Sequence, residues 1–210
     1  WKREEIGELI NNFNNLIFFV DIHPNENYAL KKLETYINKY NFYGLKLHPR
    51  LNDFNILDPK TIEIVNFAGK LNVPVIIDCF PDGNSIIKNF NAASFGKLAN
   101  LCSDTRIIAA HMGGVYAIEM MLIAKRCPNL YLNLAYSLLY FRNSSITQDI
   151  IYCINSLKGD KIFYGSDYPD RDLKKSFDLS IDTFGKFNLS NDYLEKILYN
   201  NSAEFLSFYD

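Results

Sequence analysis

A chain of 210 residues with 48% hydrophobic and 22% charged residues is long enough for one substantial core, and no composition shift along it marks a second domain. A formal net charge of −2 gives no electrostatic case for nucleic acid or an anionic membrane as partner, and no apolar run approaches the roughly 18 residues of a membrane span. Four widely spaced cysteines (Cys79, Cys102, Cys127, Cys153) without a C-x-x-C exclude a zinc knuckle or disulfide frame and read as reduced thiols of a cytoplasmic protein. The opening WKREEIGEL does not read as a signal peptide, and a start at Trp1 in helix-like sequence reads as a chain whose upstream residues are missing.

Residues 16–22 (LIFFVDI) form an apolar, β-branched and aromatic run that ends at His23-Pro24 and reads as a strand. Asn25 is a candidate N-cap for a helix bearing Leu30, Leu33, Ile37 and Tyr40 at three- and four-residue spacing. A second strand runs from about Tyr43 to Leu47 and stops at His48-Pro49. After a polar loop, Asp58-Pro59 sets a helix start, with Ile62, Val65, Ala68 and Leu71 on one face. A third strand, Val73 to Ile77, carries Asp78 at its end.

The alternation goes on through a helix over 92–102 and the strand TRIIAAH, which ends at His111. Gly113-Gly114 then opens a helix through Ile118, Met121, Leu122 and Lys125, which Pro128 stops. LYLNLAYS (130–137) is a fifth strand, and a helix near 146–157 precedes the sixth, Ile162 to Tyr164. Two or three helices fill the remainder. Six strand-then-helix units in a row predict an α/β protein with a parallel sheet, and their spacing suits a (β/α) barrel or a doubly wound sheet equally. No G-x-G-x-x-G follows any strand, so a dinucleotide site has no support.

The three histidines, His23, His48 and His111, all stand at strand ends, as do Asp78 and Asp167. In a parallel barrel such groups converge on one face from different strands. Lys46 lies two residues before His48 and so points to the same side of its strand. Each has a plainer reading: His23 and His48 as strand terminators capping a backbone carbonyl, Asp78 as a turn residue or a buried partner for Lys46, Asp167 as an Asx-turn. His111 reads as functional, because two glycines after it would let a helix N-terminus approach an anion. Asp167 does so through its company at the other strand ends, whereas Tyr136 and Tyr168 read as rim packing.

An imidazole and carboxylates on one rim suit two mechanisms. They can hold a divalent metal that polarises water. Alternatively they can run metal-free acid–base hydrolysis, with Asp167 activating water and His111 polarising a carbonyl. Serine-triad chemistry lacks a G-x-S-x-G turn, and Cys79 beside Asp78 stays open.

The ordered set GLKLHP, VPVIID, IIAAHMGG, LYLNLAYS, IFYGSDYP and ILYNNSAEFL resembles the amidohydrolase-2 branch of the amidohydrolase superfamily. That branch comprises TIM-barrel metal-dependent hydrolases and decarboxylases of small carboxylated or ring substrates. The resemblance implies a single (β/α)8 TIM-barrel-like domain over residues 1–210, of which six units are visible and the first two strands are absent. It implies that His111 is the sixth-strand histidine and Asp167 the eighth-strand aspartate, both catalytic and both placed to bind a metal. Lys46 and His48 would bind substrate at the fourth strand. The family's first-strand His-x-His is absent, and its fifth-strand metal-binding histidine is replaced by Asp78, a carboxylate able to serve as third ligand to zinc or another divalent metal. Metal-free lactonases also occur among such proteins. The expectation is therefore a cytoplasmic hydrolase, decarboxylase or lactonase of a small polar or carboxylated metabolite, with room for homo-oligomer formation. The alternative is a catalytically impaired homologue serving as a binding or scaffold protein.

Overall fold

A computed structural model of the chain describes residues 2–10, 12–13, 15–87 and 91–206; Trp1 lies outside them. Short runs of β-branched, aliphatic and aromatic residues form six strands: β1 (Phe19–Asp21), β2 (Gly44–Leu47), β3 (Val75–Asp78), β4 (Ile107–Ala110), β5 (Leu130–Asn133) and β6 (Ile162–Phe163). Their order in the sheet is their order in the chain, β1-β2-β3-β4-β5-β6. Successive parallel strands need a crossover, and helices supply it between each pair. By its internal contacts the chain divides into two compact units, Trp1–Asp78 with Ser94–Ile108 and Cys79–Ala93 with Ala109–Asp210.

In the first unit β1, β2 and β3 pair in parallel, with Val20 opposite Leu45 and Leu45 opposite Val75. Leu45, Leu47, Val75 and Ile77 are wholly buried. Removing a side chain of that size from water contributes about 1.5–3 kcal/mol. Helices α1 (Arg3–Ile10), α2 (Ala29–Tyr40), α3 (Pro49–Asn52), α4 (Pro59–Lys70) and α6 (Ala93–Leu101) belong to this unit; α5 (Gly83–Ile87) lies in the other. α2 buries Ala29, Leu33 and Tyr36, and α4 buries Thr61, Ile64, Val65 and Ala68, the apolar faces their spacing predicts.

Two expectations are corrected here. The first strand covers Phe19–Asp21 and not 16–22: pairing begins at Phe18, whose carbonyl accepts from Tyr43, while Leu16 and Ile17 are exposed. Asn25 is not a helix cap. Its N–H is taken by Nδ1 of His23, and α2 starts four residues later, after Tyr28 in the left-handed conformation.

In the second unit β5 and β6 pair in parallel, with Leu132 opposite Ile162. Helix α7 (Ala117–Arg126) packs Met120, Met121 and Ala124, and α9 (Ser145–Ser156) packs Ile150, Cys153 and Ile154, into the core of this unit. The Ser144 side chain accepts from the Ile146 N–H and caps α9. The one-turn α8 (Ser137–Tyr140) occupies the end of the expected fifth strand, which stops at Asn133. Beyond α10 (Leu173–Lys186), the helical stretch from Asn191 to Phe205 is tied to β6 by Asn201, whose side chain donates to the carbonyls of Gly159 (2.7 Å) and Ile162 (2.8 Å).

All four cysteines are buried thiols. Among the described residues no helix is long and apolar enough to cross a membrane.

Candidate active site

In the first unit, β2 delivers Lys46 and His48 while Leu45 and Leu47 point into the core. Pro49 holds the residue before it out of the helical region, and His48 duly leaves the strand at φ −129°, ψ 73°. Pro49 then sits at the first position of α3, which the sequence had suggested as loop. The His48 Nδ1 accepts the Leu51 N–H, so its proton is on Nε2, which faces Asp78 Oδ2 at 3.4 Å. Arg50 Nε donates to the other oxygen, Oδ1, also at 3.4 Å. The Asp78 side chain is 1% exposed, so its charge is held between an imidazole and a guanidinium and hardly meets water. His23 is a structural cap, as its plainer reading has it: Nε2 meets the Asn52 carbonyl at 3.0 Å and Nδ1 accepts from Asn25.

In the second unit, three strand exits carry residues with positive φ: His111 after β4 (66°), Tyr136 after β5 (64°) and Asp167 after β6 (60°). Non-glycine residues in this region are uncommon and cluster at functional sites. The His111 ring is buried and donates from Nδ1 to the Ala135 carbonyl at 2.9 Å. A carbonyl can only accept, so this bond makes Nε2 the lone-pair nitrogen of the neutral ring. Ser137 Oγ donates to the His111 carbonyl at 2.6 Å and pins the backbone as well.

Aromatic rings wall this histidine. Phe80 and Tyr136 lie edge-on at 6.0 Å each, and Tyr136 stacks on Tyr140 at 5.0 Å. Burial raises the pKa of the Tyr136 phenol above its ordinary value, and the Asp170 charge adds to it. The Arg171 guanidinium lies over the Tyr136 ring, 5.0 Å from its centre.

Asp167 is half-buried in the turn Gly165-Ser166-Asp167-Tyr168-Pro169, and its carbonyl accepts from the Arg171 N–H at 3.3 Å. Gly165 is required there by close approach: a Cβ would come within 2.8 Å of Ala135 Cβ. Phe80, Arg50 and Arg171 escaped the sequence reading; the triplet His48-Pro49-Arg50 and the basic residue closing the Gly-Ser-Asp-Tyr-Pro turn were the available signals.

The glycine pair after His111 does something other than expected. The pair lies within a turn over His111–Tyr116 whose Met112, Gly113 and Gly114 are not helical, and the Gly113 N–H donates to Cys79 Sγ at 3.2 Å. Gly114 adopts φ 53°, ψ −115°, a conformation for which its lack of a side chain is needed. The two glycines therefore shape a turn that seats Cys79, and the helix proper starts at Ala117.

The residues present fit the expected metal poorly. Both Asp78 oxygens face cationic or N–H-bearing groups, and a divalent ion bound there would stand against the Arg50 guanidinium. His48 has its Nδ1 lone pair on a backbone N–H. Among the described residues no group of three or more His, Cys, Asp or Glu side chains is arranged to hold a metal ion.

A family model described as amidohydrolase, that of the amidohydrolase-2 family, matches residues 7–208. The chain belongs to the amidohydrolase-2 family. No curated protein matches the sequence. Solved structures similar to this amidohydrolase-2 protein include an uncharacterised TIM-barrel protein from Bordetella bronchiseptica (TM-score 0.78, 20% identity, 98% of this chain and 72% of that one). An amidohydrolase 2 from Bifidobacterium longum subsp. infantis (0.65, 15%, 98% and 75%) and the 5-carboxyvanillate decarboxylase of Sphingomonas paucimobilis (0.68, 12%, 98% and 71%) are also similar. At these identities the likeness concerns fold: the six parallel strands of this family member are those of a partial (β/α)8 barrel.

Proposed function

We propose that this amidohydrolase-2 protein is an enzyme that hydrolyses a C–O or C–N bond of a small, carboxylated metabolite by metal-free acid–base chemistry. Asp167 takes a proton from the attacking water, whose oxygen adds to the substrate carbonyl carbon. His111, protonated at Nε2 while Nδ1–H stays on Ala135, donates to the carbonyl oxygen where negative charge develops. The proton held by Asp167 then passes to the leaving oxygen or nitrogen as the tetrahedral intermediate collapses.

The observation that carries it is the fixed orientation of His111, a buried imidazole with one nitrogen committed to a carbonyl, in a chain of this family. The route goes without a metal because Asp78, the expected third ligand, is engaged by Arg50 and His48. A screen of lactones, amides and carboxylated esters against the purified protein tests it. On any substrate found, Asp167→Asn should reduce kcat by about 10²–10⁴ with the melting temperature little changed. Full turnover in that variant removes Asp167 from the mechanism.

A second reading, a binding or scaffold homologue without turnover, is favoured by the same Asp78 ion pair, which stands where the family places a metal ligand. It is upheld if no compound of the screen is turned over at any metal content.

A further inference from the structure

The Gly-Ser-Asp-Tyr-Pro turn leads into Arg171, whose side chain is 31% exposed but whose Nε atom is buried. Among the described residues no hydrogen-bond acceptor reaches that Nε. The nearest carboxylate, Asp170, stands at 3.9 Å, too long for a hydrogen bond. The guanidinium is otherwise held by stacking: it lies over the Tyr136 ring, 5.0 Å from its centre. Nε is the donor left over. That Nε is closed off from solvent, so an acceptor from outside the chain would meet the exposed part of the Arg171 side chain, and a cation kept this close to the ring beside His111 favours an anion there.

We propose that Arg171 is the anchor for a carboxylate of the substrate, held in position by Tyr136, and that it selects for monoanionic organic acids. The inference rests on the enzymatic reading above and deepens it. Tyr136 is the link: its ring lies 5.0 Å from the Arg171 guanidinium and 6.0 Å from the His111 imidazole, so Arg171 and His111 border the same ring. A guanidinium presents paired N–H donors that match the two oxygens of a carboxylate. The Asp170 carboxylate beside it cancels part of the charge, which favours a monoanion over a phosphate dianion. Tyr136 carries the Arg171 guanidinium over its ring and stacks on Tyr140, so its role here is to position the arginine.

The test uses benzoate, benzamide and inorganic phosphate as probes, with thermal shift and calorimetric titration as readouts. Benzoate should raise the melting temperature of the wild-type protein, and benzamide and phosphate should bind at least about tenfold more weakly. Arg171→Met should lose about tenfold or more in benzoate affinity, and Arg171→Lys, which keeps the charge without the fork, should fall between. Tyr136→Leu should weaken benzoate less than Arg171→Met does.

Asp167→Asn separates this inference from the enzymatic reading. It should stop turnover yet bind benzoate at least as tightly as wild type, since it removes a negative charge. Unchanged benzoate affinity in a folded Arg171→Met protein, or no binding of benzoate to wild type, overturns the anchor whatever the turnover data show. Should the methionine variant fail to fold, the lysine variant decides: wild-type affinity there overturns the proposal. Lost benzoate binding in Arg171→Met together with full turnover in Asp167→Asn keeps the anchor and removes the catalytic assignment.

Discussion

His111 donates its Nδ1–H to the carbonyl oxygen of Ala135 across 2.9 Å, and that bond decides which end of the ring is available for chemistry. It makes Nε2 the nitrogen that gains and loses a proton, whichever step it serves. The ring is replaceable in packing and not in acid–base function. His111→Gln should therefore lower kcat by about 10²–10⁴. The stability cost should stay near the roughly 1 kcal/mol of one hydrogen bond. Urea denaturation and steady-state rates measured side by side check this, and a variant with ordinary turnover would return His111 to a packing role.

The parallel α/β character was readable because periodicity and punctuation agree from element to element. Ile62, Val65 and Ala68 fall on one face of α4 behind Pro59, and Ile107–Ala110 form an apolar run short enough for a strand covered on both sides. Strand ends also marked the candidate residues correctly as exits: His48, Asp78, His111 and Asp167 all follow or close a strand. The pairing of Asp78 with Arg50 was not legible. It depends on β2 and β3 lying side by side, a tertiary fact that brings together residues 28 positions apart. Asn25 misled for a local reason: residues 24–28 turn, and α2 begins only after Tyr28 in the left-handed conformation, which leaves Asn25 too far upstream to cap it.

Gly114 gives a test of the turn that carries His111. Its φ of 53° with ψ −115° lies where side chains are strained, and a Cβ would come within 2.7 Å of Pro81 Cδ. Gly114→Ala should cost about 1–3 kcal/mol and reduce turnover through His111, three residues away. A denaturation midpoint equal to wild type would show the turn to be tolerant.

Tyr36 supplies a pH-dependent contribution in the first unit. Burial, and then its hydrogen bond to Glu4 (2.7 Å), raise its pKa from 10.0 to about 12. The raised value means the folded state favours the protonated phenol. The stability it contributes is present in full below pH 10 and is lost as pH rises toward about 12. Thermal melts across that interval should decline more steeply for wild type than for Tyr36→Phe. Parallel curves would mean that Tyr36 titrates alike in both states.

The cluster of Asp78, Arg50 and His48 predicts an asymmetry that a metal-ligand role would not. The Asp78 side chain is 1% exposed, whereas those of Arg50 and His48 are 26% and 22% exposed. Removing the arginine leaves a buried carboxylate with less compensation; removing the carboxylate leaves two cationic or donor groups that reach solvent. Arg50→Met should therefore cost about 3 kcal/mol. Asp78→Asn should cost about 1–2 kcal/mol, because its amide oxygen can still accept from Arg50 Nε. The double variant should lose less than the sum, since each change removes the other's reason for being there. Denaturant titration of the four proteins measures that coupling. If Asp78 held a metal instead, Asp78→Asn would be the costlier change, bound zinc or manganese would fall with it, and Arg50→Met would leave the metal content intact. Additive costs with metal lost only in Asp78→Asn would overturn the ion-pair reading.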